Sequence, residues 1–527
     1  MSKQTFMKGT LILVLAGLIV KVLGFVNRVM LARIIGAEGL GLYQMAVPTF
    51  ILIISLATFG LNISVSKLIA EADVAGDRKR VRAILQLSLA IVSVLSFVFT
   101  TIMIVGASVI SRYFLTDERA FYPLIAIAPI VPLVAISSVL RGYFQGRQNM
   151  TPTASSQVVE QIVRMFTVII LANWLMPRGV EYAAAGAMLG VVCGEAVGMA
   201  SLLFQFRRQR LPKPVGSVGR FRDLLANHRD TLRSLFAISL PVTGSRLIGS
   251  LTFFIEPIIV SQSLVLAGLS ASAATSFYGQ LAGMAIPLLI FPTFITYSLS
   301  VSLVPAVAEA AAQKNTRLIH RRLYQSVRLA LVIGAPFAAL LYVFAEPLAE
   351  LLYHDKQVGH FLKLMAPYSL FLYFQAPLQA ALQGLDHAGE AMRNTIIGAV
   401  LKTLAIFALA SRPELGVDGA VLSVNISILS VTLLHFYSIS RLTGFTINLT
   451  DTVKVLGSII VIGYAASYTA SYSISHAISL VTAISVSIAA AFVLYTLLLI
   501  GLGVVGKQDV QRIPWIGRTL AYFLPRR

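Results

Sequence analysis

An all-α membrane protein of about fourteen spans, built as two parallel six-helix repeats forming N- and C-lobes followed by two extra helices, is the fold this sequence predicts. Three observations predict it. Hydrophobic residues make up 57% of the 527-residue chain and charged residues only 12%, with a mean hydropathy of +0.82. The apolar stretches come in pieces of about 20 residues or more, the length that crosses a bilayer core as helix. A set of landmarks in the first half recurs in the second at one fixed displacement.

The first apolar run, near 9–34, follows Lys3 and Lys8 as a signal sequence would. It is too long for a signal h-region and Ala32-Arg33 is no small-residue cleavage site, so it reads as the first span. Spans near 43–69, 83–109, 121–142, 155–176 and 183–205 complete an N-terminal lobe, 1–206. A basic cytoplasmic linker, 207–234, leads to spans near 235–262, 276–305, 326–345, 361–384, 392–410 and 417–438, the C-terminal lobe 235–440. Two additional spans, near 453–472 and 478–502, lie within 441–505, and 506–527 is a basic tail. Arg78, Lys79, Arg80, Arg82, the linker, Lys314, Arg317, Arg321, Arg322 and the tail mark one side as cytoplasmic. An even number of spans then puts both termini on that side of the cell membrane.

The net charge of +20 does not indicate nucleic acid, because the basic residues are spread through short loops between spans and not over a polar domain surface. The single cysteine, Cys193, lies in an apolar span, which excludes a disulfide framework and a paired-cysteine metal site.

Ala128-Pro129, Gln145-Gly146 and Arg164 recur as Ala366-Pro367, Gln383-Gly384 and Lys402, and Ala70-Glu71-Ala72 recurs as Ala308-Glu309-Ala310, all displaced by 238 residues. Lys21-x-x-Gly24 returns as Arg246-x-x-Gly249 at a slightly different offset. Copies with an even number of spans enter the membrane in the same direction, so a pseudo-two-fold axis along the membrane normal is expected, with substrate held near the midplane.

Charges at membrane depth carry the functional signal, since each costs at least a few kcal/mol unless it faces a wet cavity or a partner. Lys21, Arg28, Lys67, Arg164, Arg246 and Lys402 are the candidate cations, and Glu160, Glu195 and Glu256 the candidate coupling or charge-balancing acids. Lys21, Gly24 and Arg28 share a helical face at i, i+3, i+7. Glu160 and Arg164 stand at i, i+4 in the favourable order for an ion pair, whereas Lys402 has Gly398 at the corresponding place. The cationic excess suits an anionic ligand, and pyrophosphate is a compact one that Lys and Arg bind through charge-assisted hydrogen bonds. The two terminal spans could supply an apolar side groove for a lipid tail. Gly186, Gly190, Gly194 and Gly198, four apart, read as helix packing.

The run from Lys21 through Gly24 and Asn27-Arg28 to Ala32-Arg33-Ile34-Ile35-Gly36-Ala37-Glu38-Gly39 resembles the opening of the polysaccharide-transport branch of the MOP flippase superfamily. Leu140-Arg141-Gly142-Tyr143-Phe144-Gln145-Gly146, Glu160-Gln161-x-x-Arg164 and Gly244-Ser245-Arg246 carry the same likeness, which covers nearly the whole chain. The resemblance implies a fourteen-span flippase of a spore-forming bacterium. Its implied cargo is lipid II for spore-cortex peptidoglycan, moved across the membrane around the forespore, with peptidoglycan synthases as partners using it. MurJ-type lipid II flippases share the superfamily. Lys21 matches an arginine position of their first-span motif, while Asn27 stands where they carry another arginine.

Two other functions were weighed on the residues. A cation-coupled multidrug exporter of the same superfamily would use carboxylates in its first lobe, and the first span has none. A membrane-bound glycan polymerase would need catalytic acids or a large external loop. Gly501-x-x-x-x-Gly506-Lys507 lacks the Ser or Thr of a phosphate loop, and His354, Asp355 and His360 have no metal-site spacing. Transport without enzyme chemistry and without a cofactor is the expectation.

Overall fold

The computed structural model describes residues 6–208, 229–475 and 479–505. Most of the basic linker and the whole tail 506–527 lie outside the described residues. The chain divides into two compact units.

The first unit, 1–284 with 410–416, holds α1 (Phe6–Thr58), α2 (Leu61–Val74), α3 (Arg78–Val109), α4 (Phe121–Ile127), α5 (Ile130–Gly146), α6 (Thr151–Leu175), α7 (Val180–Arg208), α8 (Arg229–Leu266) and α9 (Ala271–Tyr278). The second, 285–409 with 417–527, holds α10 (Ile286–Ile290), α11 (Thr293–Ala312), α12 (Thr316–Val343), α13 (Ala345–Tyr353), α14 (Lys356–Gly384), α15 (Ala388–Ala405), α16 (Gly416–Thr443, its first residue belonging to the first unit), α17 (Leu449–Ser475) and α18 (Leu480–Gly501).

α1 runs for 53 residues, about 80 Å if straight, more than twice a hydrocarbon core of about 30 Å. It turns at Gly36, whose φ of 68° and ψ of −174° no residue with a Cβ adopts without strain. The turn separates the two spans expected near 9–34 and 43–69. Thirteen stretches among the described residues are long and apolar enough to cross a membrane, and the first, Ile12–Val74, contains this turn. α14 is also long enough but is diluted by polar residues such as His360, Lys363 and Gln375. The span expected near 276–305 is longer and broken: α9 passes through a π-helical turn at Gly279–Ala285 into α10, and α11 resumes after Pro292.

The repeat is visible down to its caps. Asp77 accepts from the Arg80 amide at the start of α3, and Asn315, 238 residues on, accepts from the Leu318 amide at the start of α12. Gly146 packs so closely on α2 that a Cβ there would lie 2.5 Å from the Ser66 carbonyl oxygen, and its counterpart Gly384 would meet that of Val304 at 2.7 Å. On the first unit's interior, positions related by the displacement touch each other. A Cβ on Gly279 would lie 2.5 Å from the amide nitrogen of Gly41, and Gln44 Nε2 donates to the Ala282 carbonyl at 2.9 Å.

Faces follow the solvent that each helix meets. Along α3, Val94, Phe97, Val98, Ile102, Val105 and Val109 are exposed at helical spacing, the lipid-facing stripe of a protein that needs no aqueous coat there. The opposite face of α3 joins Leu61, Val65 and Ile69 of α2 and Val139 and Tyr143 of α5 in a buried core. The glycines of α7 lie against α6. A Cβ at Gly190 would sit 2.5 Å from the Val168 backbone, so the packing expected from the four-residue spacing is realised.

Gly190→Leu therefore forces backbone apart and is expected to cost about 2 kcal/mol or more, whereas Gly17, with nothing near its missing Cβ, should accept alanine without loss. Thermal midpoints of the two variants in detergent check this contrast.

Candidate functional site

Charged residues of α5, α6 and α7 form one network in the first unit. Arg141 on α5 donates from Nη2 to Glu160 Oε2 of α6 at 2.9 Å and reaches Glu195 Oε1 of α7 at 3.4 Å. The other oxygen of Glu160 accepts from Arg164, the i, i+4 pair read from the sequence. Glu160 and Glu195 are 8% and 3% exposed. The glycine stripe makes room for them: Gly198 stands where a Cβ would come within 3.0 Å of Glu160, and Gly194 within 2.7 Å of Arg164. Two carboxylates are thus held by two guanidiniums that span three helices, and the Nε of each arginine has no hydrogen-bond partner among the described residues.

The candidate cations differ in setting. Gly24 faces Gln161 of α6, 3.6 Å from Nε2 to a Cβ placed there, which turns the Lys21–Gly24–Arg28 face of α1 toward α6. Tyr43 feels the charges of both Arg164 and Arg28, which places these two guanidiniums in one electrostatic neighbourhood. Arg28 is half-buried, Arg246 exposed, and neither has an ion pair among the described residues. Lys21 and Lys67 are exposed. Glu256 on α8 is half-buried, within electrostatic reach of the buried Tyr278 hydroxyl. Lys402 is half-buried on α15 of the second unit.

Sequence reasoning passed over Arg141. It lies near the predicted end of a span, where a snorkelling arginine is ordinary. Its partners are 19 and 54 residues away, separations that no helical periodicity reveals. The only available signal was the pair of acids, Glu160 and Glu195, against a single nearby cation.

In the second unit α12, α14 and α17 wall an apolar groove of about 730 Å³, lined by Ala339, Val343, Pro367, Leu370, Ile460 and Tyr464 among others, with Lys363 bordering it. The expected side groove of the terminal spans is therefore formed by the first of them. α18 instead borders a smaller hollow of about 380 Å³ with Phe337 and Phe492.

A polar clasp joins α1, the segment after α3, and α9. Arg119 bridges Glu38 at 2.8 Å and Asp117 at 3.0 Å. Thr275 donates to Asp117 at 2.7 Å and Ser272 donates to Glu38 at 2.6 Å. Burial alone would raise the Asp117 carboxyl, but the hydrogen bonds from Arg119 and Thr275 and the charge of Arg119 outweigh it and hold the group below its ordinary value.

A family model described as polysaccharide biosynthesis protein matches residues 6–309, and one described as MatE matches residues 257–407. Stage V sporulation protein B of Bacillus subtilis (strain 168) is 46% identical over 520 residues, covering 99% of this chain and 100% of that one. Lipid II flippase MurJ of the same organism is 24% identical over 486 residues, 87% of each chain. Among solved structures, lipid II flippase MurJ in an inward closed conformation superposes with a TM-score of 0.67 at 13% identity, covering 92% of this chain and 97% of that one. An inward-facing multidrug resistance MATE family transporter of the MOP superfamily gives 0.63 at 17%, covering 81% and 94%. At these identities the structures establish a shared fold.

Removing Arg141 leaves two buried carboxylates competing for Arg164, so Arg141→Met is expected to lose about 3–5 kcal/mol. Combining it with Glu195→Gln should recover part of that loss, which a double-mutant cycle of thermal midpoints measures. The depressed Asp117 has its own signature. Its stabilisation is complete above the ordinary carboxylate value of about 4 and is lost as pH falls through the depressed one. Acid titration of the thermal midpoint should show a smaller fall for Asp117→Asn than for the unsubstituted chain.

Proposed function

The chain belongs to the polysaccharide biosynthesis protein family and is a multi-pass membrane transporter of the MOP superfamily, and from that premise we propose that it flips a polyprenyl pyrophosphate-linked glycan, lipid II for the spore cortex foremost. The observation that carries this reading is the pair Arg28 and Arg246. Both lie in membrane-spanning helices of the first unit, and no carboxylate pairs with either among the described residues. Guanidinium in such a place calls for an anion brought by the substrate. Arg164 is different, because Glu160 already holds it. Its role in this reading is to keep Glu160 and Arg141 in place, while Lys21, Arg28, Arg246 and Lys67 of the first unit offer charge to the pyrophosphate.

The apolar groove of α12, α14 and α17 supports the same cargo, since it gives a polyprenyl chain a surface to follow while the head group is elsewhere. Glu160 and Glu195 are charge-balancing acids in this scheme, and Glu256 is a candidate for coupling or balance. No bond is made or broken, so alternating exposure of the cations is all that translocation requires. Cytoplasmic termini and a place in the membrane around the forespore complete the proposal, with peptidoglycan synthases consuming the product. Export of cationic drugs fits less well, because a cationic drug would meet cations on α1 and α8 and no acid on α1 before Glu38.

Reconstitution into liposomes tests this. Lipid II should be flipped, and Lys21→Ala, Arg28→Ala and Arg246→Ala should each slow flipping about tenfold or more, the worth of one charge-assisted hydrogen bond. Full rates in all three variants would overturn the assignment, and flipping of cationic dyes in place of lipid II would favour the exporter.

A further inference from the structure

Beside the clasp the first unit opens a polar pocket of about 450 Å³, lined by Ser108, Ser111, Arg112, Glu118, Arg119, Phe121, Tyr122 and Glu181. It lies at the end of the helices that the distribution of Lys and Arg assigns to the non-cytoplasmic side. We infer that this pocket binds an organic ammonium group, and, resting on the transport reading above, that the ammonium belongs to the peptide of the cargo's head group.

The sign of the ligand follows from what is already paired. The guanidinium of Arg119 is taken by Asp117 and Glu38, and Arg112 is taken by Glu118 at 3.3 Å. An anion entering here would meet arginines whose partners are in place. Glu181, in contrast, accepts no hydrogen bond and makes no ion pair through its carboxylate among the described residues. It stands in the first turn of α7, folded back over Gly179, where a Cβ would come within 2.9 Å of its Oε1. Together Glu38, Asp117, Glu118 and Glu181 outnumber Arg112 and Arg119, so the pocket and its border are electronegative.

The aromatic wall agrees with that sign. Tyr122 and Tyr182 pack with ring centroids 4.7 Å apart, and Phe121 lies 5.7 Å from Tyr122. Ring faces attract a cation within about 6 Å. Among the described residues no group of His, Cys, Asp and Glu is placed to hold a metal ion, so an organic cation suits the chemistry better. The volume lies within the range of small-molecule sites, enough for an amine side chain and an adjoining residue or two. The same Arg119 that borders the pocket closes the clasp, which sets occupancy beside the contact between α1 and α9.

Binding to the purified full chain in detergent, by calorimetry, provides the test, with acetyl-L-Lys-D-Ala-D-Ala, its Nε-acetylated counterpart and phosphoethanolamine as probes. The free-amine peptide should bind at least tenfold tighter than the acetylated one, and Glu181→Gln should remove that preference. Stronger binding of phosphoethanolamine than of the peptide would overturn the cargo assignment in favour of a lipid head group. Equal affinity for both peptides, or a preference surviving Glu181→Gln, would overturn the site itself. Failure of the transport reading is separately visible, as absence of flipping with every lipid-linked glycan.

Discussion

A guanidinium shared between carboxylates of two helices is the interaction on which the first unit's interior rests. Arg141 ties Glu160 of α6 to Glu195 of α7, and in a medium of low dielectric none of the three can be left alone. The requirement reaches outward into the sequence. α7 must carry glycine where it passes Arg164 and Glu160, because two helices separated by ordinary side chains would place the acids too far apart to share one arginine. Arg164 and Arg141 are thereby neutralised on α6 and α5, whereas Arg28 of α1 has no ion pair among the described residues.

Much of this was legible before the structure. Span length and composition gave the helical membrane fold, the i, i+4 spacing gave the Glu160–Arg164 pair, and the four-residue glycine spacing gave the packing of α7 on α6. Those signals are local, lying within one or two turns of a helix. What stayed hidden depends on contacts between distant segments. Arg141 meets acids on two later helices, and Thr275 meets Asp117 from 158 residues away, so no period announces either. The break at Gly279–Ala285 was hidden for another reason, since a π turn needs no proline to mark it.

The two copies keep the architecture and differ in the chemistry. At the 238-residue displacement, Gln379 stands for Arg141, Gly398 for Glu160 and Leu433 for Glu195, so of the four network positions only that of Arg164 keeps a charge in the second copy, as Lys402. Gly398 is pressed against Val431, which fills the space that a longer side chain would need. The caps and the close glycine contacts, by comparison, are shared, because they serve the backbone path and that path is common to both copies. Lys402 thus has glycine four residues before it where Arg164 has Glu160, at corresponding positions of the repeat.

The contact of Gly41 with Gly279 and of Gln44 with Ala282 has an evolutionary reading. In a homodimer, every mutation at the symmetry axis strikes twice, and a side chain there must be compatible with its own copy. Fusing the copies into one gene lifts that condition. Gln44 donates to the Ala282 main-chain carbonyl, and alanine at 282 has no side-chain donor to return, so the bond runs one way. Covalent linkage of the halves thereby lets the line of contact become directional, with donor and acceptor assigned to separate halves by inheritance.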